Sequence, residues 1–345
     1  MRQNSTEGKI WIAGPCAAES EEQVFETARR LFEKAKQSSI ELFAYRAGAW
    51  KVRSAPGGFE GAGERALSWL KEVQDSFKTP VCVEVVNPGQ VEKCADHGIR
   101  MFWIGARTSV NPAEVQSIAD AVRNTDFTVM VKNPIIPDLK LWIGNIERFI
   151  KAGVKSVMAV HRGFSDVSEN VLRNAPLWEI PIDLKVRMPE LPILCDPSHI
   201  CGRRDWIAQI AQTALNYGFN GLMVEAHCCP ENALSDSLQQ LTPEQWASLV
   251  SGLSLRSETP NIELEKLRSK LQNIDSQISE LLYQRMSVVD EIAMVKRENN
   301  ISVVQPLQWE HVVQRYRKHT DDACYQRFID EFLEILHQNS IKRQR

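Results

Sequence analysis

The chain has 345 residues, of which 43% are hydrophobic and 25% charged, and its net charge is −3. That length exceeds an ordinary single domain, and a near-neutral balance excludes general binding to nucleic acid through an electrostatic surface. There is no apolar run of the roughly 18 residues that a membrane span needs and no signal peptide, so a cytoplasmic protein without a membrane partner is expected, its eight cysteines reduced.

Eight short apolar runs precede residue 230: Lys9 to Ala13, Glu41 to Tyr45, Val81 to Val86, Met101 to Ile104, Thr128 to Val131, Val157 to Val160, Pro192 to Leu194 and Gly221 to Val224. The stretches between them carry helical periodicity, as in Val24-Phe25-Ala28-Leu31-Phe32 and Trp206-Ile207-Ile210-Ala211-Leu215. Strands alternating with helices eight times predict an α/β fold, the (β/α)8 TIM barrel. A doubly wound open sheet is the alternative, but the Gly-rich dinucleotide fingerprint after the first strand is missing.

In a (β/α)8 barrel, chemistry collects at the C-terminal ends of the strands. Cys16, His199, Glu225 and Asp236 all fall at or just beyond such ends and read as one metal site. A thiolate, an imidazole and two carboxylates suit a borderline divalent ion better than Ca2+ or Mg2+. Mn2+ is the first choice, with Co2+, Fe2+ and Zn2+ as alternatives. Cys195, Cys201, Cys228, Cys229, His161 and His227 compete, but a lone Cys or His near a strand end more often packs than coordinates. Glu84 and Asp196, also at strand ends, are read as substrate or water contacts.

Composition changes near residue 255. Ser251 to Pro260 has linker and helix-start chemistry, with Thr259 as the expected N-cap and Pro260 at the first helical position. Beyond it Leu264, Leu267, Leu271, Ile274, Ile278, Leu281, Arg285, Val288, Ile292 and Val295 recur at intervals of three and four, a heptad seam about 45 Å long at 1.5 Å per residue. Two shorter helices should follow, one opening at Pro306 and one from about Asp322 to Ser340.

Arg285 breaks the seam. It reads either as a register-setting polar residue or as an anion site inside a helical bundle, since a buried guanidinium needs a partner. Arg268 lies about 25 Å and Lys296 about 16 Å from it along one straight helix, so a site shared by all three needs an antiparallel partner chain. The expectation is a homodimer through the helical region.

These residues carry a resemblance. On Gly14-Pro15-Cys16, Arg46 with Lys51-Val52-Arg53-Ser54, Gly105-Ala106-Arg107, Asp196-Pro197-Ser198-His199 and Glu225 with Ala233-Leu234-Ser235-Asp236, residues 9 to about 250 resemble 3-deoxy-D-arabino-heptulosonate 7-phosphate (DAHP) synthase. The branch is the type I beta one, related to 3-deoxy-D-manno-octulosonate 8-phosphate synthase. On Leu267-Arg268, Asp275, Gln284-Arg285, Lys296, Pro306, Ser340 and Gln344, residues 261–345 resemble the all-helical chorismate mutase. The implied organisation is a barrel over 1–253, a linker over 254–260 and a helical domain over 261–345.

The resemblance implies that phosphoenolpyruvate and erythrose 4-phosphate condense on a divalent metal. Arg107, Lys132 and Arg162 would hold phosphoenolpyruvate with help from Arg46, Arg53 and Ser54 would receive the aldehyde's phosphate, and Lys51 would donate a proton. Chorismate would rearrange to prephenate with its carboxylates on Arg285 and the partner chain's Arg268, its ether oxygen facing Lys296 and Gln344, and Ser340 nearby. Departures from the family pattern are Val52 and Ser54 in the first motif, Asn133-Pro134 after Lys132, and Gln308-Trp309 in place of an Arg-Glu pair. Only eight residues precede the first run at Lys9, which leaves the helical region as the candidate sensor and prephenate or chorismate as the candidate inhibitor. Alternative readings are an octulosonate phosphate synthase, or a synthase whose helical domain regulates or dimerises without turnover.

Overall fold

The computed structural model describes residues 8–51, 58–165, 171–255, 262–317 and 322–344, and the chain divides into two compact units, Met1–Glu258 and Thr259–Arg345. In the first, all eight apolar runs form strands: β1 (Ile10–Gly14), β2 (Ala44–Arg46), β3 (Val81–Val85), β4 (Met101–Ile104), β5 (Thr128–Lys132), β6 (Ser156–His161), β7 (Ile193–Cys195) and β8 (Gly221–Glu225). Each pairs in parallel with its neighbours, and β8 closes on β1, with Ile10 opposite Gly221 and Gly14 opposite Glu225. The expected start of β2 at Glu41 moves to Ala44, because Ile40 and Leu42 pack into the layer between strands and helices.

Helices α1 (Glu21–Gln37), α2 (Arg65–Phe77), α3 (Pro88–Asp96), α4 (Pro112–Ala121), α5 (Leu139–Lys151), α6 (Glu179–Arg187), α7 (Pro197–Cys201), α8 (Ile207–Asn216) and α9 (Pro243–Gly252) belong to the same unit. Their limits follow local chemistry. Ser20 caps α1 by accepting from the Gln23 amide, and Thr242 and Gln245 cap α9 reciprocally.

A strand alternates its faces, so odd and even positions meet different partners. Trp11, Ala13, Val83 and Val129 face the helices, where the larger core lies. Ile12, Ala44, Cys82, Met101, Trp103, Met130, Met158, Val160, Leu194 and Met223 fill the barrel itself. The next inward position on several strands, two residues further along, is Arg46, Glu84, Lys132, Arg162, Asp196 or Glu225. The apolar plug thus ends in a layer of charge at the mouth.

In the second unit α10 (Ile262–Glu298), α11 (Pro306–Arg317) and α12 (Ala323–Gln344) match the three expected helices. Its small core is Ile329, Leu333 and Leu336 packed against Leu282, Met286, Trp309, Val313 and Phe332. The heptad seam does not form it. Leu264, Leu267, Leu271, Ile274, Ile278, Leu281, Val288, Ile292 and Val295 are all exposed, the least of them 41%. Thr259 and Pro260, the expected cap, lie outside the described residues, and so does most of the expected linker.

Candidate functional site

Strand ends and the loops after them build a cavity of ≈ 710 Å³ at the mouth of the barrel. Among the described residues five cations line it, Lys51, Arg107, Lys132, Arg162 and Arg173, against Glu84, His199 and Asp236. This balance suits a strongly anionic occupant.

At one end Cys16, Glu225 and Asp236 bring one ligand atom each to within 4.8 Å of one another. The Cys16 thiol donates to Asp236 Oδ2 at 3.1 Å, and Lys51 Nζ donates to Cys16 Sγ at 3.0 Å. His199, the fourth expected ligand, stands beside this trio, its Nε2 3.7 Å from Glu225 Oε1 and its Nδ1 2.7 Å from Asp196 Oδ2. Asp196 caps α7 through the His199 amide and also accepts from Lys132 Nζ at 2.6 Å. Arg46, buried, donates to Glu225 Oε1 at 3.2 Å and lies 4.7 Å over the Trp103 ring.

The charges are set by burial and by neighbours. Burial, with help from Glu225, pushes the Cys16 thiol up to about 12, so in the absence of a cation the sulfur keeps its proton. Burial alone would raise the Glu225 carboxyl, but His199, Arg46 and Lys51 outweigh it and hold the group below its ordinary range. Burial also opposes ionisation of Asp236, and the Cys16 hydrogen bond, His199 and Arg173 overcome it. Lys51 is held above its ordinary value: burial acts against the charge, and Cys16, Glu225 and Glu84 more than compensate. Burial brings Arg162 down to about 10.

Glycines give the charged groups room. A Cβ on Gly105 would come 2.0 Å from Glu84 Oε1, and one on Gly14, whose φ is +147°, would come 2.0 Å from the Arg46 carbonyl oxygen. Asn133, a departure in the sequence pattern, has a structural task. Its Oδ1 accepts from the Arg162 amide at 2.7 Å and its Nδ2 donates to the Gly163 carbonyl at 2.7 Å, fixing the backbone that presents Arg162.

In the helical unit Arg285 Nη1 donates to Ser340 Oγ at 2.8 Å, and Trp309 stacks on His337 with ring centroids 4.0 Å apart. Lys296 donates to the Val303 carbonyl at 2.8 Å and lines a separate groove with Val288, Ile292 and Gln305. Arg268 is exposed and pairs with Glu265 at 2.8 Å. Within one chain, therefore, Arg285 and Ser340 meet while Arg268 and Lys296 stand apart from them. Gln344 Oε1 is buried.

Residues 5–257 match the model of the DAHP synthetase I family, and residues 267–345 that of chorismate mutase type II. The chain belongs to the DAHP synthetase I family. Similar proteins include a phospho-2-dehydro-3-deoxyheptonate aldolase of Thermotoga maritima, 29% identical over 253 residues, which cover 73% of this chain and 71% of the relative. A 2-dehydro-3-deoxyphosphooctonate aldolase of Legionella pneumophila is 28% identical over 269 residues, covering 72% of this chain and 91% of the relative. The crystal structure of the Thermotoga maritima DAHP synthase superposes with a TM-score of 0.61 at 29% identity, over 77% of this chain and 70% of that one.

As a DAHP synthetase I barrel joined to a type II chorismate mutase region, the chain is a transferase and an isomerase. The donor set at the barrel mouth fits a divalent cation: one thiol and two carboxylates already converge, each tied by a second partner, with an imidazole alongside. Arg53 and Ser54, expected to receive a phosphate, lie outside the described residues. Sequence reasoning missed Arg173, Asn174 and Gln239. Arg173 Nη1 donates to Asp236 Oδ1 and to Gln239 Oε1, each at 2.9 Å, and Gln239 Nε2 donates to Glu225 Oε2 at 2.6 Å. These residues sit in loops, where no period marks a face. Among the described residues no helix is long and apolar enough to cross a membrane.

Proposed function

We propose that the barrel condenses phosphoenolpyruvate with erythrose 4-phosphate and water to give DAHP and phosphate, and that the helical unit rearranges chorismate to prephenate. The observation that carries the first half is the cavity itself, lined among the described residues by five cations and by Asp236, whose carboxylate meets Cys16 and Glu225 in a cluster able to hold a divalent ion, Mn2+ before Co2+, Fe2+ or Zn2+. Arg107, Lys132 and Arg162 bind the phosphate and carboxylate of phosphoenolpyruvate, with Arg46 buried behind them against Glu225 and Trp103. Arg53 and Ser54 take the aldehyde's phosphate, and Glu84 and Asp196 order substrate or water. A divalent cation held by Cys16, His199, Glu225 and Asp236 supplies Lewis acidity toward the aldehyde oxygen. Lys51, kept protonated by its acidic surroundings, donates the proton the product alkoxide needs.

For the helical unit, the exposed seam on α10 supports a homodimer in which two seams cover each other. Antiparallel pairing brings the partner chain's Arg268 toward Arg285 and Ser340. Arg285 and Arg268 then hold the two carboxylates, and Lys296 and Gln344 face the ether oxygen. Prephenate, or chorismate, held at the same residues is the inhibitor we assign to the synthase. The rival reading of a helical unit without turnover draws on Trp309, whose ring lies on His337 where the family pattern carries a Glu.

Two substitutions in the full-length chain separate the halves. Cys16→Ala, or exhaustive chelation of the wild type, should abolish condensation and leave prephenate formation intact, whereas Arg285→Ala should do the reverse. Full condensation by metal-free protein would end the metal reading, and wild-type protein that forms no prephenate would favour the helical unit as regulator alone.

A further inference from the structure

The loop residue Arg173 is set where the barrel's candidate metal ligands meet. One guanidinium nitrogen, Nη1, makes two hydrogen bonds of 2.9 Å, to Asp236 Oδ1 and to Gln239 Oε1. The first leaves Asp236 Oδ2 turned toward Cys16, which donates to it at 3.1 Å. The second decides which way the Gln239 amide faces. With its oxygen on Arg173, its nitrogen must point the other way, and Nε2 donates to Glu225 Oε2 at 2.6 Å. Asp236 thus has Oδ1 held by Arg173 and Oδ2 met by Cys16, while Glu225 has Oε2 held by Gln239 and Oε1 by Arg46, and the Cys16, Glu225 and Asp236 ligand atoms lie within 4.8 Å of one another.

Two further contacts fix Arg173 itself. Its stem crosses Gly202, the left-handed residue that ends α7, so closely that a Cβ there would come 2.6 Å from Arg173 Cβ. Its neighbour Asn174 is buried, donates to the His199 carbonyl at 2.6 Å and accepts from Arg162 Nη1 at 2.7 Å. The dipeptide therefore reaches all the candidate ligands except Cys16, and touches the cation cluster at Arg162.

We propose that Arg173 is a positioning residue for the divalent-metal site, holding Asp236 directly and Glu225 through the Gln239 amide. This rests on the reading of Cys16, His199, Glu225 and Asp236 as a metal centre. Removing Arg173 leaves the Gln239 amide free to rotate away from Glu225 Oε2 and releases Asp236, whose backbone is itself in the left-handed region at φ +50°. Loss of such an outer partner typically costs about 10- to 100-fold in metal affinity.

The test uses metal-stripped full-length protein titrated with Mn2+ or Co2+ against a chromophoric chelator. Arg173→Ala should weaken the metal by roughly 10- to 100-fold, with synthase turnover rising as metal is added in excess. The thermal midpoint of the metal-free protein should stay at its wild-type value, and metal affinity should fall by a larger factor than phosphoenolpyruvate affinity at saturating metal. Arg173→Lys, which keeps the charge but not the fork, should fall between. Gln239→Leu should weaken the metal too, and the double variant Arg173→Ala with Gln239→Leu should lose less than the product of the two single losses, because the residues act in series. Wild-type metal affinity in Arg173→Ala overturns the proposal, as does a fall in phosphoenolpyruvate affinity with metal affinity unchanged, which would make Arg173 a substrate contact. A wild-type chain that takes up no stoichiometric metal overturns the metal centre itself and the proposal with it.

Discussion

His161 ends β6 with its ring packed among Trp142, Phe164, Trp178 and Phe219, at centroid distances from 5.2 to 6.3 Å. Burial, reinforced by the neighbouring Arg162, depresses its pKa to about 3. An unfolded chain takes up a proton on this residue near pH 6.5, and the native chain does so only near its depressed value. Between those limits the unfolded state binds more protons, so stability falls as the pH drops, by on the order of 1.4 kcal/mol per pH unit. Above pH 6.5 the residue has no such effect. His161→Phe should therefore unfold in urea much as wild type does at pH 8, and should be more stable than wild type at pH 5 by roughly 2 kcal/mol. Identical pH dependence in the two proteins would show that the imidazole is not kept neutral by its aromatic surroundings. A histidine beside an arginine at a strand end has the address of a ligand, yet inward and outward positions alternate, and His161 lies on the side away from the mouth.

At the scale of elements, the strands and most of the site share one legible signal. A strand in a closed parallel barrel is buried on both faces, so it reads as a continuous apolar run, and the charged residue two positions past an inward side chain reads as the mouth. Lys132 after Met130, Asp196 after Leu194 and Glu225 after Met223 all follow that spacing. The loops carry no such period, which is why Arg173 and Gln239 escape it. Closure of the barrel rests on a position with equally little sequence signal, Gly221, where a Cβ would meet the Ile10 carbonyl oxygen at 1.8 Å. Both atoms belong to paired backbones, so neither can yield cheaply. Gly221→Ala should cost about 1–3 kcal/mol or more, seen as a lowered urea midpoint for the barrel, whereas Gly105→Ala, which meets only the end of the Glu84 side chain, should lower substrate affinity with little loss of stability. The helical unit adds a different lesson. Periodicity found the α10 seam but not the positions that pack within the unit, because Leu282 and Met286, which meet Ile329, Leu333 and Leu336, lie off the seam, as do the buried Val289 and Ala293. If the seam is a dimer interface, Leu271→Glu with Ile278→Glu should give a monomer in sedimentation, with helical content retained. Dimers that persist in that variant would place the contact elsewhere.

At the scale of the whole molecule the proposed function puts the two activities at two points of one chemical route, the synthase supplying precursors from which chorismate would be made and the mutase consuming it. A site that binds chorismate and prephenate can therefore report the output of the route to the barrel that feeds it. We expect prephenate bound about Arg285 and Ser340, with Arg268 and Lys296, to inhibit condensation. Ordinary couplings of this kind amount to about 1–3 kcal/mol, or roughly 5- to 150-fold in affinity. Reciprocity then requires that phosphoenolpyruvate and metal in the barrel weaken prephenate binding by the same factor. The sign can be checked by isothermal titration of prephenate into full-length protein with and without phosphoenolpyruvate, and by synthase assays of wild type, of Arg285→Ala and of a chain ending at Leu255. Prephenate should inhibit the first and spare the other two. A chain without the helical unit, or without Arg285, that is still inhibited like wild type would move the inhibitor site into the barrel. A wild-type chain that prephenate never inhibits would leave the helical unit as a catalytic partner alone, its coupling to the synthase no more than a shared polypeptide.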